Sequence, residues 1–196
     1  MDTSAYEQLA HFFRDFADIP ETKIVKARQN FQPVSVRKGA FLLRAGEVPR
    51  TLGFVVSGVI RLFFITPDGD EITRSFRIEK SFVSSYSALL LGEPSRLFLQ
   101  ALEPSFLLVT PYNAYQELTA GHPCWQIMDR KFAQLLFIRQ EQRECELLLD
   151  DATTRYVKFR ADYPGLEERV KQHHIASYLG ITPVTLSRIR AQLSNS

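Results

Sequence analysis

VKQHHIASYLGITPVTLSRI, residues 170–189, is the stretch from which the rest of the chain can be ordered. Gly180 divides it, since glycine accepts the left-handed backbone on which helices end. Thr182 can cap the next helix, and Pro183 suits its first turn because no amide is left unpaired there. Leu186, Ile189 and Leu193 then recur at helical spacing and give one apolar face. Val184, Thr185, Ser187, Arg188 and Arg190 fall on the other side, with no acid among them. A solvated helix ordinarily mixes acids with bases, so this face suits a negatively charged partner. The pattern reads as one helix over Leu166–Leu179, a turn at Gly180 and a second helix over Thr182–Leu193. Two helices joined in this way are a helix-turn-helix.

The charge distribution agrees. Residues 152–196 hold seven Lys/Arg against three Asp/Glu, whereas residues 1–151 hold 17 basic and 19 acidic side chains. The overall charge of +2 therefore conceals a basic last quarter. With 45% hydrophobic and 23% charged residues, the composition is that of a globular protein. No apolar run reaches the roughly 18 residues that span a bilayer. No basic segment leading into an apolar stretch opens the chain, so no secretory signal is read there. Two cysteines, Cys124 and Cys145, cannot build a disulfide framework. A cytoplasmic location is the expectation.

Upstream, Tyr6, Leu9, Phe12, Phe13 and Phe16 share one stripe of a short amphipathic helix. From Phe31 to Thr110 the pattern is one of short Val, Ile, Leu and Phe runs punctuated by glycines, with PDGD (67–70) as a hairpin turn. Six to eight short strands at this spacing predict an antiparallel sandwich or roll. SFVSSYSALLLGEPSR (81–96) interrupts the alternation with room for a short helix. From His122 to Asp150 the period turns helical. Trp125, Phe132 and Leu136 form a stripe that can cover the roll. Met128, Leu135, Gln142 and Leu149 repeat every seven residues, with Ile138 and Cys145 interleaved. That is a partial heptad seam of the kind two-stranded coiled coils use, or core within one subunit. Asp151 is placed to cap a helix running through Arg155, Tyr156 and Phe159.

In this order and spacing the chain resembles the cyclic-AMP receptor / fumarate-nitrate regulator (Crp/Fnr) family of bacterial transcription factors. RKGAFLLRAGE (37–47) and VSGVIRLFFITPDGDE (56–71) match the roll, LDDATTR (149–155) the hinge, and residues 170–189 the DNA-binding motif. The resemblance implies an α+β protein with three parts. Residues 1–121 would be an effector-sensing β-roll with an N-terminal helix. Residues 122–150 would be a long helix that joins two copies through 128–149, and residues 151–196 a helix-turn-helix domain.

By that resemblance the second helix lies in the major groove of double-stranded DNA. Val184, Ser187 and Arg188 face base edges, Arg188 foremost, because a guanidinium grips both acceptors of a guanine. Thr182, Thr185, Gln172 and His173 would hold phosphates, although the threonines can equally serve as caps. Neighbouring histidines on a helix point about 100° apart, which argues against a metal on His173 and His174.

Two departures stand out. Family members continue into a two-stranded wing, and this sequence stops at Ser196. The cyclic-nucleotide cassette is also altered. Where relatives present Gly-Glu, Ser84 and Ser85 stand here, and Ser95 and Arg96 reverse the Arg-Ser order of the phosphate site. Gln140 falls where an adenine contact is expected. Cyclic AMP is accordingly not the expected effector, and no cofactor or metal is expected. Arg96 either binds another anion or pairs with Glu93 or Glu79. Residues 12–121 contain no His or Cys, which removes haem and metal-cupin chemistry from the roll. The reading is a homodimeric regulator of transcription, not an enzyme, with RNA polymerase as a further candidate partner and no membrane partner. The competing readings are a ligand-binding or protein-interaction module that no longer binds DNA, and a β-roll enzyme.

Overall fold

The computed structural model describes residues 3–194, with side-chain surroundings from Ser4 onward. The chain opens on α1 (Thr3–Phe16) and α2 (Glu21–Arg28). It runs on through β1 (Gln32–Val36), β2 (Phe41–Leu43), β3 (Thr51–Ser57), β4 (Ile60–Ile65), β5 (Glu71–Arg77) and β6 (Ser81–Val83). Then come α3 (Tyr86–Leu91), β7 (Phe98–Ala101), β8 (Ser105–Pro111), α4 (Tyr112–Ala120) and the 27-residue α5 (Pro123–Leu149). The last helices are α6 (Ala152–Asp162), α7 (Leu166–Arg169), α8 (Gln172–Leu179) and α9 (Pro183–Ser194). Among the described residues this gives eight strands in two four-stranded sheets, ordered β1-β8-β3-β6 and β2-β7-β4-β5. The long ladder is antiparallel, with Phe54 opposite Leu108 on one side and Phe82 on the other.

Two compact units emerge. The first holds residues up to Leu62 together with Phe76–Leu136. The second holds Phe63–Ser75 together with the chain from Phe137 onward.

The first unit is organised by aromatic rings. Phe12 of α1 meets Phe82 edge-on at 5.1 Å, and Phe13 meets Trp125 at 5.0 Å. Such edge-to-face contacts favour one ring geometry beyond simple burial. The stripe predicted over 3–16 is thus the face that α1 buries, together with Ala5, Leu9 and Ala10. Trp125 and Phe132 of α5 close the same core, with Leu136 partly buried against it. Met128 also belongs there and is 0% exposed. The heptad reading placed Met128 in a seam between copies; the structure removes it, because the first turns of α5 direct that position into the core. Farther along, Ile138, Cys145, Leu148 and Leu149 are exposed.

Other elements differ from the sequence reading, among them α4, which it did not anticipate. α2 was not anticipated, because only Ile24 and Ala27 of its eight residues are buried. The single helix expected over Leu166–Leu179 is two, α7 and α8, separated where Val170 turns extended at φ −122°, ψ 153°. One glycine is forced by close approach. Gly58 adopts φ +109°, and a Cβ there would lie 2.1 Å from the Ser105 hydroxyl oxygen.

Candidate functional site

The second unit carries the helix-turn-helix. Ile175, Ala176, Tyr178 and Leu179 of α8 are buried, as are Leu186 and Ile189 of α9. Gly180 takes the left-handed conformation, φ 69° and ψ 34°, and the Ile181 amide reaches back to the Ala176 carbonyl at 3.0 Å. That six-to-one bond closes the end of α8 and aims the chain into the next helix. Thr182 then accepts the Thr185 amide at 3.2 Å, and the two hydroxyls lie 3.0 Å apart. Thr182 is thus a cap, as its side-chain chemistry predicts.

With one face of α9 buried, Val184, Ser187 and Arg188 stand exposed on the other. Among the described residues Arg188 has no ion pair. Arg190 behaves differently, turning back to Glu167, with Nε 3.6 Å from the carboxylate. Glu167 also takes Arg160 at 3.3 Å and the Tyr156 hydroxyl at 2.5 Å. Burial, together with that bond to a carboxylate, pushes the Tyr156 phenol up to about 12. Gln172 and His173 are exposed at the start of α8. The His173 and His174 rings lie side by side, centroids 4.0 Å apart, instead of diverging as the helical angle suggested. Among the described residues no group of three metal-capable side chains forms.

Sequence reasoning missed what holds this pair of helices. Arg143 lays its guanidinium 3.9 Å over the Tyr178 ring and donates to the Tyr178 carbonyl. Arg155 donates to the Leu179 carbonyl at 3.0 Å. Two arginines from α5 and α6 thereby satisfy carbonyls that the end of α8 leaves open, where the helix dipole is negative. Nothing in the spacing of Arg143 or Arg155 announces this, since their partners are backbone atoms 35 and 24 residues away.

The expected effector residues separate. Ser85 and Ser95 are buried, and their hydroxyls lie 2.8 Å apart. The Ser95 hydroxyl also takes the Leu97 amide at 2.9 Å. Arg96 is exposed and makes neither expected pair; Glu79 instead accepts the Gly58 amide at 2.9 Å. Gln140, in the second unit, accepts from Arg74 at 2.9 Å. Ser84 alone lines a cavity of about 310 Å³ in the first unit, with Leu43, Val83, Leu99, Val109 and Arg50 among its neighbours.

Residues 33–122 match the family model described as a cyclic nucleotide-binding domain. Over 172 residues the chain is 27% identical to the fumarate and nitrate reduction regulatory protein of Vibrio cholerae, covering 82% of this chain and 68% of that one. The FixK2 structure from Bradyrhizobium japonicum superposes with a TM-score of 0.70 at 19% identity, covering 84% of this chain and 85% of that chain. The Thermus thermophilus catabolite activator protein gives 0.59 at 22% identity, covering 92% and 86%. The chain is similar in sequence and fold to Crp/Fnr regulators. It has the α+β order of roll, long helix and terminal helices that its sequence announced. Its Ser84–Ser85 and Ser95–Arg96 segments nonetheless bring together only the two buried serines. No described helix of the chain is long and apolar enough to cross a membrane.

Proposed function

We propose that this chain is a homodimeric, cytoplasmic regulator of transcription that reads an inverted-repeat operator through α9 and does not answer to cyclic AMP. The observation that carries the reading is the division of α9. Leu186 and Ile189 are buried on one side, while Val184, Ser187 and Arg188 face solvent on the other. A rod anchored in this way can enter a major groove and present its first two turns to base edges. Thr182, Thr185, Gln172 and His173 are proposed to meet phosphates beside it. Residues 1–121 sense, residues 122–150 join two copies, and residues 151–196 bind DNA. The exposed Ile138, Leu148 and Leu149 of α5 supply the apolar surface that a second copy would cover.

Against cyclic AMP stands the pairing of Ser85 with Ser95, which turns both hydroxyls inward. A ribose hydroxyl would meet no carboxylate from this segment. Selection on random duplexes tests the proposal. The expected result is one enriched inverted repeat with half-sites about one helical turn apart, or a multiple of it. Its affinity should fall steeply with salt as counterions are released. Arg188→Ala should relax the preference at one base position per half-site, by about 1–3 kcal/mol. Failure to enrich any sequence would favour a ligand-binding or protein-interaction module instead.

A further inference from the structure

The cavity in the first unit has a chemistry of its own. Both sheets contribute its walls: Leu43 and Leu99 from one, Val83 and Val109 from the other. Gly53 also lines it, and a Cβ there would crowd the Val83 and Leu107 side chains at 3.1 Å. The polar side chains on the lining are those of Ser84, Glu47, Arg50 and Thr51. The Ser84 hydroxyl donates its hydrogen to the Thr51 carbonyl at 3.1 Å, so it offers a ligand only an acceptor. Glu47 accepts the Arg44 amide at 2.7 Å, which anchors its carboxylate on its own loop. Arg50 is the cation on the lining, and among the described residues it has no ion pair. Its backbone is fixed, because its carbonyl takes the Tyr112 amide at 2.9 Å and the next residue begins β3.

Leucine and valine walls with one donor-rich cation at the rim describe a ligand with a hydrocarbon body and one anionic head, which the Thr51 hydroxyl on the same rim can also meet. The anchored Glu47 limits the head to a single negative charge, since a second would be repelled. At about 310 Å³ the space lies at the small end of ligand pockets. We propose that this cavity binds a small apolar carboxylate, its head on Arg50 and its body against Leu43, Val83, Leu99 and Val109. The ligand class differs from a cyclic nucleotide, whose ribose hydroxyls and base would have to lie against Leu43, Val83, Leu99 and Val109. The proposal goes beyond the DNA-binding reading and does not depend on it.

Calorimetric titration of the full chain without DNA tests it, using decanoate below its micelle concentration, decan-1-ol and cyclic AMP as probes. Decanoate is expected to bind at least about fivefold more tightly than the alcohol, because only the carboxylate brings an opposite charge and two oxygens to the guanidinium. Arg50→Gln, at an exposed position, should erase that difference by weakening decanoate far more than decan-1-ol. Leu99→Trp should block both, with circular dichroism confirming that the variant is folded. Equal binding of acid and alcohol by the parent, a preference that survives Arg50→Gln, no binding of either probe, or tighter binding of cyclic AMP would each overturn the proposal. None of these outcomes touches the role of α9, which is read in the separate DNA selection.

Discussion

The hydroxyl of Ser177 in α8 accepts the amide hydrogen of Thr73 and donates its own to the carbonyl of Glu71, both at 2.9 Å. Strand β5 stands at the edge of its sheet, and one hydroxyl serves both this amide and this carbonyl there. Thr73 is buried, and removing the hydroxyl strands its amide away from water. Ser177→Ala should therefore destabilise the second unit by about 1–3 kcal/mol and speed hydrogen exchange at the Thr73 amide. Ser177→Thr, which keeps the hydroxyl, should recover most of the protection. Unchanged exchange in the alanine variant would show that the bond contributes nothing.

Two substitutions in α5 should part company. Leu148 and Leu149 are 75% and 80% exposed, whereas Met128 is 0% exposed. Ile138→Glu combined with Leu148→Glu should halve the mass seen in sedimentation from the proposed dimer to the 22.5 kDa chain, with little loss of thermal stability. Met128→Ala should do the reverse, costing roughly 2–5 kcal/mol of stability through a cavity in the core while the oligomeric state persists. A parent that already sediments as a single chain would remove the dimer from the proposal.

Asp151 caps α6 by accepting the Thr154 amide at 2.7 Å. The backbone bond from Thr154, joined by the Thr154 hydroxyl, holds its carboxyl below the ordinary aspartate value. The folded state thus favours the charged form. Its contribution is complete above the unfolded aspartate range near about 4 and is lost as pH falls through the depressed folded value. Following the Thr154 amide by nitrogen-15 NMR should give a midpoint below the usual range. Asp151→Asn should retain the cap and abolish the titration. A midpoint at or above the ordinary value would contradict the cap.

Gly58→Ala should be severe for a side chain so small. The residue sits at φ +109°, and its new methyl carbon would overlap Ser105, including its backbone Cα at 2.7 Å. Strain and overlap together are expected to lower unfolding stability by about 2–4 kcal/mol in a denaturant titration. Gly39, also at positive φ but with open space around it, should tolerate alanine better.

The aspects of this molecule that could be read from residues alone are those written in periods and punctuation. The Phe12–Phe13 stripe, the PDGD turn, the run of α5 and the Gly180–Thr182–Pro183 junction each repeat a local rule, and each emerged as expected. Heptad arithmetic could not separate Met128 from Leu149, because a core and a seam impose the same spacing. The break before α8 carries no proline or glycine; it occurs at Val170, which turns extended and is itself largely buried. The candidate effector residues were legible only as positions in a family pattern. That Ser85 would bond Ser95, or that Arg50 would line the cavity, depends on contacts between elements distant in sequence.

Arg188 and Arg190 lie two positions apart on α9, about 200° around its axis, and Glu167 holds only the second. The helix is consequently divided into a rewritable face and a retained one. Exchanging Val184, Ser187 and Arg188 as a set would alter what the domain reads and leave its framework intact. Leu186, Ile189 and Arg190 have to travel with any transplanted version, since they seat the rod in its own domain.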